Sequence, residues 1–230
     1  MCGRFTLAST TPDQLRQRFP IGESVEVRRR WNVAPGDDVL AVVMRREGPT
    51  GALLRWGLVP PWADDPSVGF KMINARAETV ADKPAYREPF RRGRCLIVAD
   101  GFYEWQRDGA ARQPFHVTRG GGEPFAFAGL RTAWRTPQGE WLRSCTIVTT
   151  EANPTIAHIH PRMPAILDPG DEEDWLDPGT PPQRLHAMLH PLADAETHAR
   201  AVSKAVNDAR YDGPECLVDA APEPEQGELF

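Results

Sequence analysis

The sequence predicts a single α+β domain with an antiparallel, β-rich, barrel-like core and short helices at its periphery. Six strand-like runs are short, rich in β-branched or aromatic residues, and mostly bounded by Gly or Pro. The helical signals between and after them are brief, and neither an internal repeat nor a convincing linker divides the chain. We therefore expect one domain over residues 1–219 and a flexible tail, rich in Pro and Glu, over residues 220–230.

The first predicted element is a helix with Pro12 at its first position, where Pro is favoured. Leu15 and Phe19 would face the interior, and Pro20 would end the helix. The strand-like runs follow at residues 39–44, 53–59, 96–99, 114–118, 124–130 and 141–150. The glycines at residues 120–122 lie between two of these runs and predict a hairpin turn.

Later in the chain the signals are mostly helical. Asn153 followed by Pro154 opens a short helix, again with Pro at the first position. Further short helices are expected over residues 171–176, 182–189 and 196–202. Five tryptophans are interpreted as core or edge aromatics: Trp56, Trp105, Trp134, Trp141 and Trp175.

The formal net charge of −5 argues against binding of nucleic acid through bulk charge. The charge is uneven, because acidic residues are dense in the last third of the chain and arginines in the first half. This asymmetry fits one basic face on an otherwise acidic protein, and scattered solvated charge is the alternative. The arginines concerned are Arg28, Arg29, Arg30, Arg87, Arg91, Arg92 and Arg94.

No apolar run approaches the roughly 20 residues that span a bilayer, and no signal-peptide apolar region follows the first residues. We therefore expect a cytoplasmic protein without membrane partners. The four cysteines lie far apart and include no C-x-x-C pair, so neither a disulfide framework nor a structural zinc site is expected. Cys95 and Cys145 stand in apolar stretches and are interpreted as small buried hydrophobic residues.

Cys2 is distinguished by its position. Methionine is usually trimmed before a small residue, and removal of Met1 would leave an α-amine and a thiol on adjacent carbons. Such an aminothiol reacts with aldehydes through a Schiff base that the sulfur closes into a thiazolidine ring. An α-amine, with a pKa of about 7.7–8, is neutral at pH 7 far more often than a lysine at about 10.4. Arg4 could raise the thiolate fraction, and the alternative is that Cys2 is incidental.

Two further segments offer polar side chains for chemistry. Asn74 can orient an amine or polarise a carbonyl, and Arg76 offers a fork suited to phosphate. Asn74 could instead cap a helix. Glu104 stands between Tyr103 and Trp105 after an apolar strand, where partial burial would raise its pKa toward neutrality. A solvated carboxylate on a strand face is the alternative for Glu104.

A third segment contains two histidines and an arginine. His160 is close to Arg162 in sequence, so that a proton shuttle and a phosphate contact would be adjacent. His158 and His160 would share one face of a strand and could bind a metal, but no Cys or acidic cluster of suitable spacing completes such a site. We therefore expect neither a metal nor another cofactor.

Taken in order, these segments resemble the SOS-response-associated peptidase (SRAP) family, also called abasic-site processing proteins. The resemblance begins with Met-Cys-Gly-Arg-Phe at residues 1–5. It continues through Trp-Asn-Val-Ala-Pro-Gly at 31–36, Trp-Gly-Leu-Val-Pro at 56–60, Asn-Ala-Arg-Ala-Glu-Thr at 74–79, Gly-Phe-Tyr-Glu-Trp at 101–105, Ile-His-Pro-Arg-Met-Pro at 159–164 and Val-Ser-Lys-Ala-Val-Asn at 202–207. It covers nearly the whole chain except the tail, and the ordered set is highly specific.

The resemblance implies a basic groove for single-stranded DNA and a covalent link to DNA. Removal of Met1 would expose Cys2, which would join the ring-opened aldehyde of an abasic site. Asn74 would hold the amine and assist ring formation. Glu104 would act as the acid and base for opening the deoxyribose and processing the Schiff base. His160 would stabilise the intermediate and support reversal of the link.

For DNA binding, the resemblance implies that Arg76 and Arg162 hold phosphates, that Arg4 contacts DNA, and that Trp62 stacks beside the lesion. It implies a protein that protects the lesion during replication or the DNA damage response, and we expect a monomer. Replication-fork proteins are further candidate partners. Removal of the initiator methionine groups such proteins with peptidases, and Schiff-base chemistry allows an abasic-site lyase activity.

The sequence departs from the family pattern at Pro161, because many members carry an acidic residue after the motif histidine. If that carboxylate tunes the imidazole, the pKa of His160 and the reversal rate differ here. Two rival interpretations stay open: a cysteine peptidase with an N-terminal nucleophile, and a single-strand-binding module that uses Trp62 and the arginines without covalent chemistry. The aldehyde chemistry is preferred because it explains why a cysteine stands at position 2.

Overall fold

Two β-sheets organise the fold of the computed structural model, which describes residues 2–108 and 111–221. The strands are β1 (Arg4–Leu7), β2 (Arg30–Val33), β3 (Asp38–Arg45), β4 (Gly48–Trp56), β5 (Asn74–Arg76), β6 (Arg94–Ala99), β7 (Gly101–Asp108), β8 (Ala111–Arg119), β9 (Phe125–Arg135), β10 (Trp141–Glu151), β11 (Arg162–Pro164) and β12 (Thr197–Ala201). The α-helices are α1 (Pro12–Arg18), α2 (Pro84–Arg92), α3 (Pro154–Ala157), α4 (Glu172–Leu176) and α5 (Pro182–Ala187).

The larger sheet closes on itself, which confirms the predicted barrel-like core. Its strands follow the order β11-β10-β4-β3-β6-β9, and β9 also pairs with β10, so that five strands form a ring. The smaller sheet has the order β12-β8-β7-β1-β2 and is antiparallel throughout. In the larger sheet β4 and β5 run parallel to β10, a departure from a purely antiparallel core. The helices are short and peripheral, so the α+β prediction is confirmed.

Two apolar clusters account for most of the buried side chains. One cluster contains residues of both sheets, such as Phe5 of β1, Phe102 of β7 and Trp56 of β4. The other joins the opposite face of the larger sheet to the helices, and includes Phe90 of α2 and Trp175 of α4. Neighbouring residues of β6 belong to different clusters, because successive strand side chains point to opposite faces. All six residues of β6 are therefore buried.

The predicted helix starts are confirmed by their caps. In α1, Thr11 and Gln14 form a capping box before Pro12, and the inward side chains Leu15 and Phe19 are buried. In α3 the side chain of Asn153 accepts a hydrogen bond from the backbone of the third helical residue, as an N-cap should. The six predicted strand runs exist with shifted bounds, and the helices near residues 171 and 182 are present as α4 and α5.

Four local interpretations of the sequence are wrong. Residues 120–122 form a turn but not a hairpin, because β8 belongs to the smaller sheet and β9 to the larger one. Residues 197–201 form strand β12 instead of a helix, since the edge of β8 supplies hydrogen-bond partners along their length. Asn74 does not cap a helix, because it begins strand β5. His158 caps α3 and is exposed, so it does not share a strand face with His160.

Several arginines and tryptophans have structural roles. The guanidinium of Arg94 is nearly buried and donates to the backbone carbonyls of Phe90 and Trp175. Arg30 pairs with two aspartates, so it adds little free charge to a basic face. Trp56, Trp134 and Trp175 are buried, Trp105 is half-buried and Trp141 is exposed. Cys95 and Cys145 are buried free thiols, as predicted.

None of the helices formed by the described residues has the length and apolar character needed to cross a bilayer. The predicted tail begins at residue 220, and residues 222–230 of it lie outside the described part of the chain.

A buried polar network anchors β1 to the corner between β6 and β7. The hydroxyl of Thr6 donates to one carboxylate oxygen of Asp100 at 2.6 Å, and the backbone N–H groups of Ala8 and Ser9 donate to the other at 2.7 and 2.6 Å. His116 Nε2 lies 3.1 Å from the same hydroxyl, and burial lowers the pKa of His116 to about 3. The imidazole is therefore neutral at physiological pH.

We predict that Gly101→Ala destabilises the protein, because a Cβ at this position would lie 2.2 Å from His116 Nε2 and 2.9 Å from the Thr6 hydroxyl. Overpacking of this kind costs ~1–3 kcal/mol. Urea unfolding measures the loss, and Gly170→Ala is the control because a Cβ there meets nothing within 4 Å. Equal unfolding free energies for the two variants would contradict the prediction.

Candidate active site

The register of β1 on β7 brings Cys2 to the predicted acid. Arg4 lies opposite Tyr103 in this antiparallel pair, so the residues before Arg4 run alongside Glu104 and Trp105. Cys2 is fully buried, and the charge of Glu104 reaches it. The side-chain amide of Asn74 donates to the Cys2 carbonyl at 2.8 Å. Three of the four predicted catalytic residues therefore meet where β1 begins.

Glu104 is only 2% exposed, so the alternative of a solvated strand-face carboxylate is wrong. Burial raises the pKa of Glu104 from 4.5 to about 7, in agreement with the expectation from its aromatic neighbours. The protonated and ionised forms are thus both populated near neutral pH. A carboxyl group in this state can donate and accept a proton in one reaction cycle.

His160, in the segment between α3 and β11, is the fourth residue at this position. Its Nδ1 atom lies 4.0 Å from Glu104 Oε1. The backbone N–H of Arg162 donates to Nδ1 at 3.0 Å. The same Nδ1 atom lies 3.0 Å from the Arg162 carbonyl, so the backbone of Arg162 holds the ring in either neutral tautomer. The structure thus brings together Cys2, Asn74, Glu104 and His160, which are far apart in the sequence.

The thiol of Cys2 is held in its neutral form. Burial raises its pKa well above the ordinary value, and the negative charge of Glu104 raises it further. Arg4 lowers this pKa through its backbone carbonyl, and an effect of its guanidinium on the thiolate fraction stays a prediction. The guanidinium of Arg4 donates from Nη1 to the Val206 carbonyl at 3.2 Å, and burial lowers its own pKa.

The predicted DNA contacts differ in accessibility. Trp62 is 62% exposed, and Arg76 is exposed at the end of β5. Arg162 is bound to the protein itself, because its guanidinium forms two hydrogen bonds with the carboxylate of Glu78, at 2.5 and 3.1 Å. Arg4 and Arg162 thus have internal partners, whereas Trp62 and Arg76 face the solvent.

Two further residues, to which sequence analysis gave no role in the site, support it. The phenol of Tyr86, on α2, donates to the Asn74 carbonyl at 3.2 Å and so helps to fix the start of β5. The indole of Trp56 donates to the Ile73 carbonyl at 2.9 Å just before it. Trp56 is part of a recognised motif, but no sequence signal connects Tyr86 to the site.

The motif at residues 31–36 holds the C-terminal part of the domain in place. The buried amide of Asn32 donates to the carbonyls of Val206, Asp208 and Tyr211 at 3.4, 3.0 and 2.7 Å. The indole of Trp105 donates to Asn207 Oδ1 at 2.7 Å. These bonds join the motifs at residues 31–36 and 101–105 to the last motif and the residues that follow it, beside the strand that bears the acid.

A possible cation site lies elsewhere. The ligand atoms of Asp168, Asp171 and His190 all lie within 4.8 Å of one another. The two carboxylates are already bound by the guanidinium groups of Arg119 and Arg184, which supply the positive charge there.

The architecture is that of a closed β-barrel with an attached antiparallel sheet, and it is shared with two solved structures of bacterial proteins. The solved structure of a protein from Bacteroides thetaiotaomicron superposes with a TM-score of 0.83 at 22% identity, covering 96% of this chain and all of the other. A protein from Bordetella bronchiseptica superposes with a TM-score of 0.77 at 27% identity, covering 88% of this chain and all of the other. The first likeness, at that identity, is one of fold alone.

Sequence comparison then identifies the family: the chain belongs to the SOS response associated peptidase (SRAP) family, whose model matches residues 1–209. Abasic site processing protein YoaM of Bacillus subtilis is 44% identical over 224 residues, which cover 94% of this chain and 97% of that protein. YoqW of the same species is 42% identical over 222 residues, with coverage of 94% and 99%. Abasic site processing protein HMCES of Gallus gallus is 40% identical over 191 residues, which cover 72% of this chain and 56% of HMCES.

We predict that Glu104 destabilises the folded protein at neutral pH. Its folded pKa of about 7 exceeds the ordinary value of 4.5, so the native state binds more protons than the unfolded state between these values. The free energy of unfolding should therefore fall as the pH rises through this window, by up to ~3 kcal/mol. Glu104→Gln should lack this fall and be more stable than wild type at about pH 8.

Urea unfolding of wild type and Glu104→Gln at about pH 5 and about pH 8 measures this difference. Glu47→Gln is the control, because Glu47 is exposed. A wild-type stability that does not fall relative to that of Glu104→Gln would contradict the placement of the ionisable group in an apolar environment.

Proposed function

We propose that the protein, once Met1 is removed, captures abasic sites in single-stranded DNA as a thiazolidine formed with Cys2. The observation that carries this proposal is the contact of Cys2 with Asn74 beside a buried Glu104 whose pKa is about 7. The names of YoaM, YoqW and HMCES, all abasic site processing proteins, support the same substrate.

In the proposed reaction Glu104 moves protons during opening of the deoxyribose ring to its aldehyde. The α-amine of Cys2 attacks the aldehyde carbon and one water molecule leaves, which gives an imine. The thiol then adds across the C=N bond, so that a C–S bond forms and the thiol proton passes to nitrogen. Nothing is oxidised or reduced, and a neutral thiol is a sufficient reactant.

In this scheme Asn74 orients the α-amine of Cys2. Its Nδ2 group holds the Cys2 carbonyl, which fixes the residue that reacts. Its Oδ1 atom is buried and has no hydrogen-bond partner among the described residues. An amide oxygen in that position is an acceptor for the N–H of the attacking amine. Orientation of a reactant in this way accelerates the step without proton transfer by the amide.

The environment of Cys2 disfavours the rival function of a cysteine peptidase. Such an enzyme needs a thiolate activated by an imidazole. The raised pKa of the Cys2 thiol, caused by burial and by Glu104, opposes that ionisation. The amine is the first nucleophile in the aldehyde reaction, so a neutral thiol does not impede it. Cleavage of the DNA after imine formation would make an abasic-site lyase activity a side reaction of the same scheme.

The DNA would lie across Arg4, Arg76 and Arg162, with Trp62 stacking on a base beside the lesion. The exposure of Trp62 and Arg76 supports this arrangement. A single strand is the expected substrate, because a lesion in a duplex must first be unstacked. We infer that the protein acts as a monomer in the cytoplasm and meets replication-fork proteins at exposed single strands.

The proposal predicts a covalent adduct that depends on both functional groups of Cys2. Protein without Met1, mixed with single-stranded DNA that carries an abasic site, should gain the mass of the DNA minus one water. Cys2→Ala should form no stable adduct. A variant with Ala inserted between Met1 and Cys2 should also fail, because its cysteine has no α-amine. Intact-mass spectrometry measures each product.

Cys216→Ala, which changes a buried cysteine of another cluster, is the matched control and should react like wild type. The same oligonucleotide without the lesion should give no adduct with any variant. A stable adduct with Cys2→Ala in the absence of reductant would overturn the proposal.

The proposal also separates the roles of Glu104 and His160. Glu104→Gln keeps the shape of the side chain but cannot exchange a proton, so adduct formation should slow by roughly 10²-fold. His160→Gln should leave the final yield high and slow the release of DNA, measured by chasing the preformed adduct with excess abasic DNA of another length. Faster exchange in His160→Gln than in wild type is the result that would refute the role of His160.

A further inference from the structure

Glu78 occupies the face of Arg162 that would otherwise be offered to a phosphate. The two terminal nitrogens of the guanidinium each donate to one oxygen of the Glu78 carboxylate, at 2.5 and 3.1 Å. Nη2 also donates to the Thr149 carbonyl at 2.6 Å, and Nε is buried without a partner among the described residues. Arg162 therefore has no accessible pair of N–H groups left to bind a phosphate in a bidentate manner.

Glu78 also faces the second arginine of the site. The charges of both Arg162 and Arg76 favour its ionised form and contribute to its lowered pKa. One carboxylate therefore lies among two guanidinium groups and neutralises half of their charge. The Glu78 side chain is 47% exposed, whereas that of Arg162 is only 16% exposed, so the carboxylate is the member of the pair that can turn into solvent.

We propose that Glu78 is an internal competitor for DNA phosphate, which a strand must displace before Arg162 can bind it. This inference rests on the proposed function, because it assigns a role to a residue of the same DNA-binding surface. A carboxylate and a phosphate present oxygens of similar spacing to a guanidinium, so one can replace the other at the same fork.

The consequence is weak binding to intact single strands. Half of the positive charge of the pair is cancelled in the free protein, so the non-covalent attraction for DNA is reduced. Selection for a damaged strand then depends on the covalent step, for which only an abasic site supplies the aldehyde. Glu78 would in this way limit the occupancy of the protein on undamaged DNA.

The test measures the binding of a fluorescein-labelled, undamaged single-stranded oligonucleotide by anisotropy at several salt concentrations. Glu78→Gln should bind more tightly than wild type by about 3- to 10-fold at low salt. The slope of log K against log salt should steepen by roughly 0.7, because in the wild type the displaced Glu78 carboxylate takes up a cation and offsets the counterion that the phosphate contact of Arg162 releases. Glu78→Ala should change both quantities in the same direction.

Two controls separate competition from a general change of charge. Glu26→Gln removes the same charge and breaks another arginine–glutamate pair, that with Arg28, and should bind with nearly the wild-type affinity. In an Arg162→Gln background the change Glu78→Gln should have a clearly smaller effect, because the fork for which Glu78 competes is absent and only the charge of Arg76 is unmasked.

Equal or weaker binding by Glu78→Gln, or an equal gain in the Arg162→Gln background, would overturn the inference. Its failure is distinguishable from failure of the proposed function, because wild-type protein is assayed in parallel for the covalent adduct with abasic DNA. If the wild-type protein forms the adduct and Glu78→Gln binds undamaged DNA no more tightly than wild type, the role of Glu78 as a competitor is refuted and the proposed function is not. Absence of the adduct would refute the function itself.

Discussion

The position of β1 between β2 and β7 is the constraint on which the candidate site depends. An internal strand is held by hydrogen bonds on both edges, so its register is fixed. The Asp100 carboxylate adds a lock at one end of β1, and the Asn74 amide holds the Cys2 carbonyl at the other. A residue near a chain terminus is usually free to move. Cys2, in contrast, lies beside Asn74 and Glu104, whose positions are fixed by the sheets to which they belong.

Burial of Glu104 shows a conflict between folding and chemistry. A carboxyl group that is almost fully buried is difficult to ionise, and its raised pKa is the sign of that difficulty. The same property makes it a proton donor and acceptor at neutral pH. The substitution Glu104→Gln would remove this conflict, but it would also remove the exchangeable proton. The site is thus a place where the domain tolerates a less stable arrangement that chemistry requires.

Local sequence signals predicted much of this structure, and long-range pairing accounts for what they missed. The caps before Pro12 and Pro154 are contained within a few residues, so α1 and α3 could be predicted. Strand β12 could not, because its identity depends on the free edge of β8 almost eighty residues earlier. The ordered motifs indicated Asn74, Glu104 and His160. The engagement of Arg162 by Glu78 was invisible, since it depends on how β5 and β11 flank β10.

The bonds from Asn32 to the carbonyls of residues 206–211 have a consequence for biosynthesis. A ribosome delivers the N-terminal segment first, but β1 cannot be enclosed until β7 has emerged, about a hundred residues later. The hydrogen bond from the Trp105 indole to Asn207 can form only after residue 207 has left the exit tunnel. Throughout that interval the residues of β1 lack the partner strand that covers them in the folded domain. The removal of Met1 that the proposed chemistry requires could therefore precede the enclosure of Cys2.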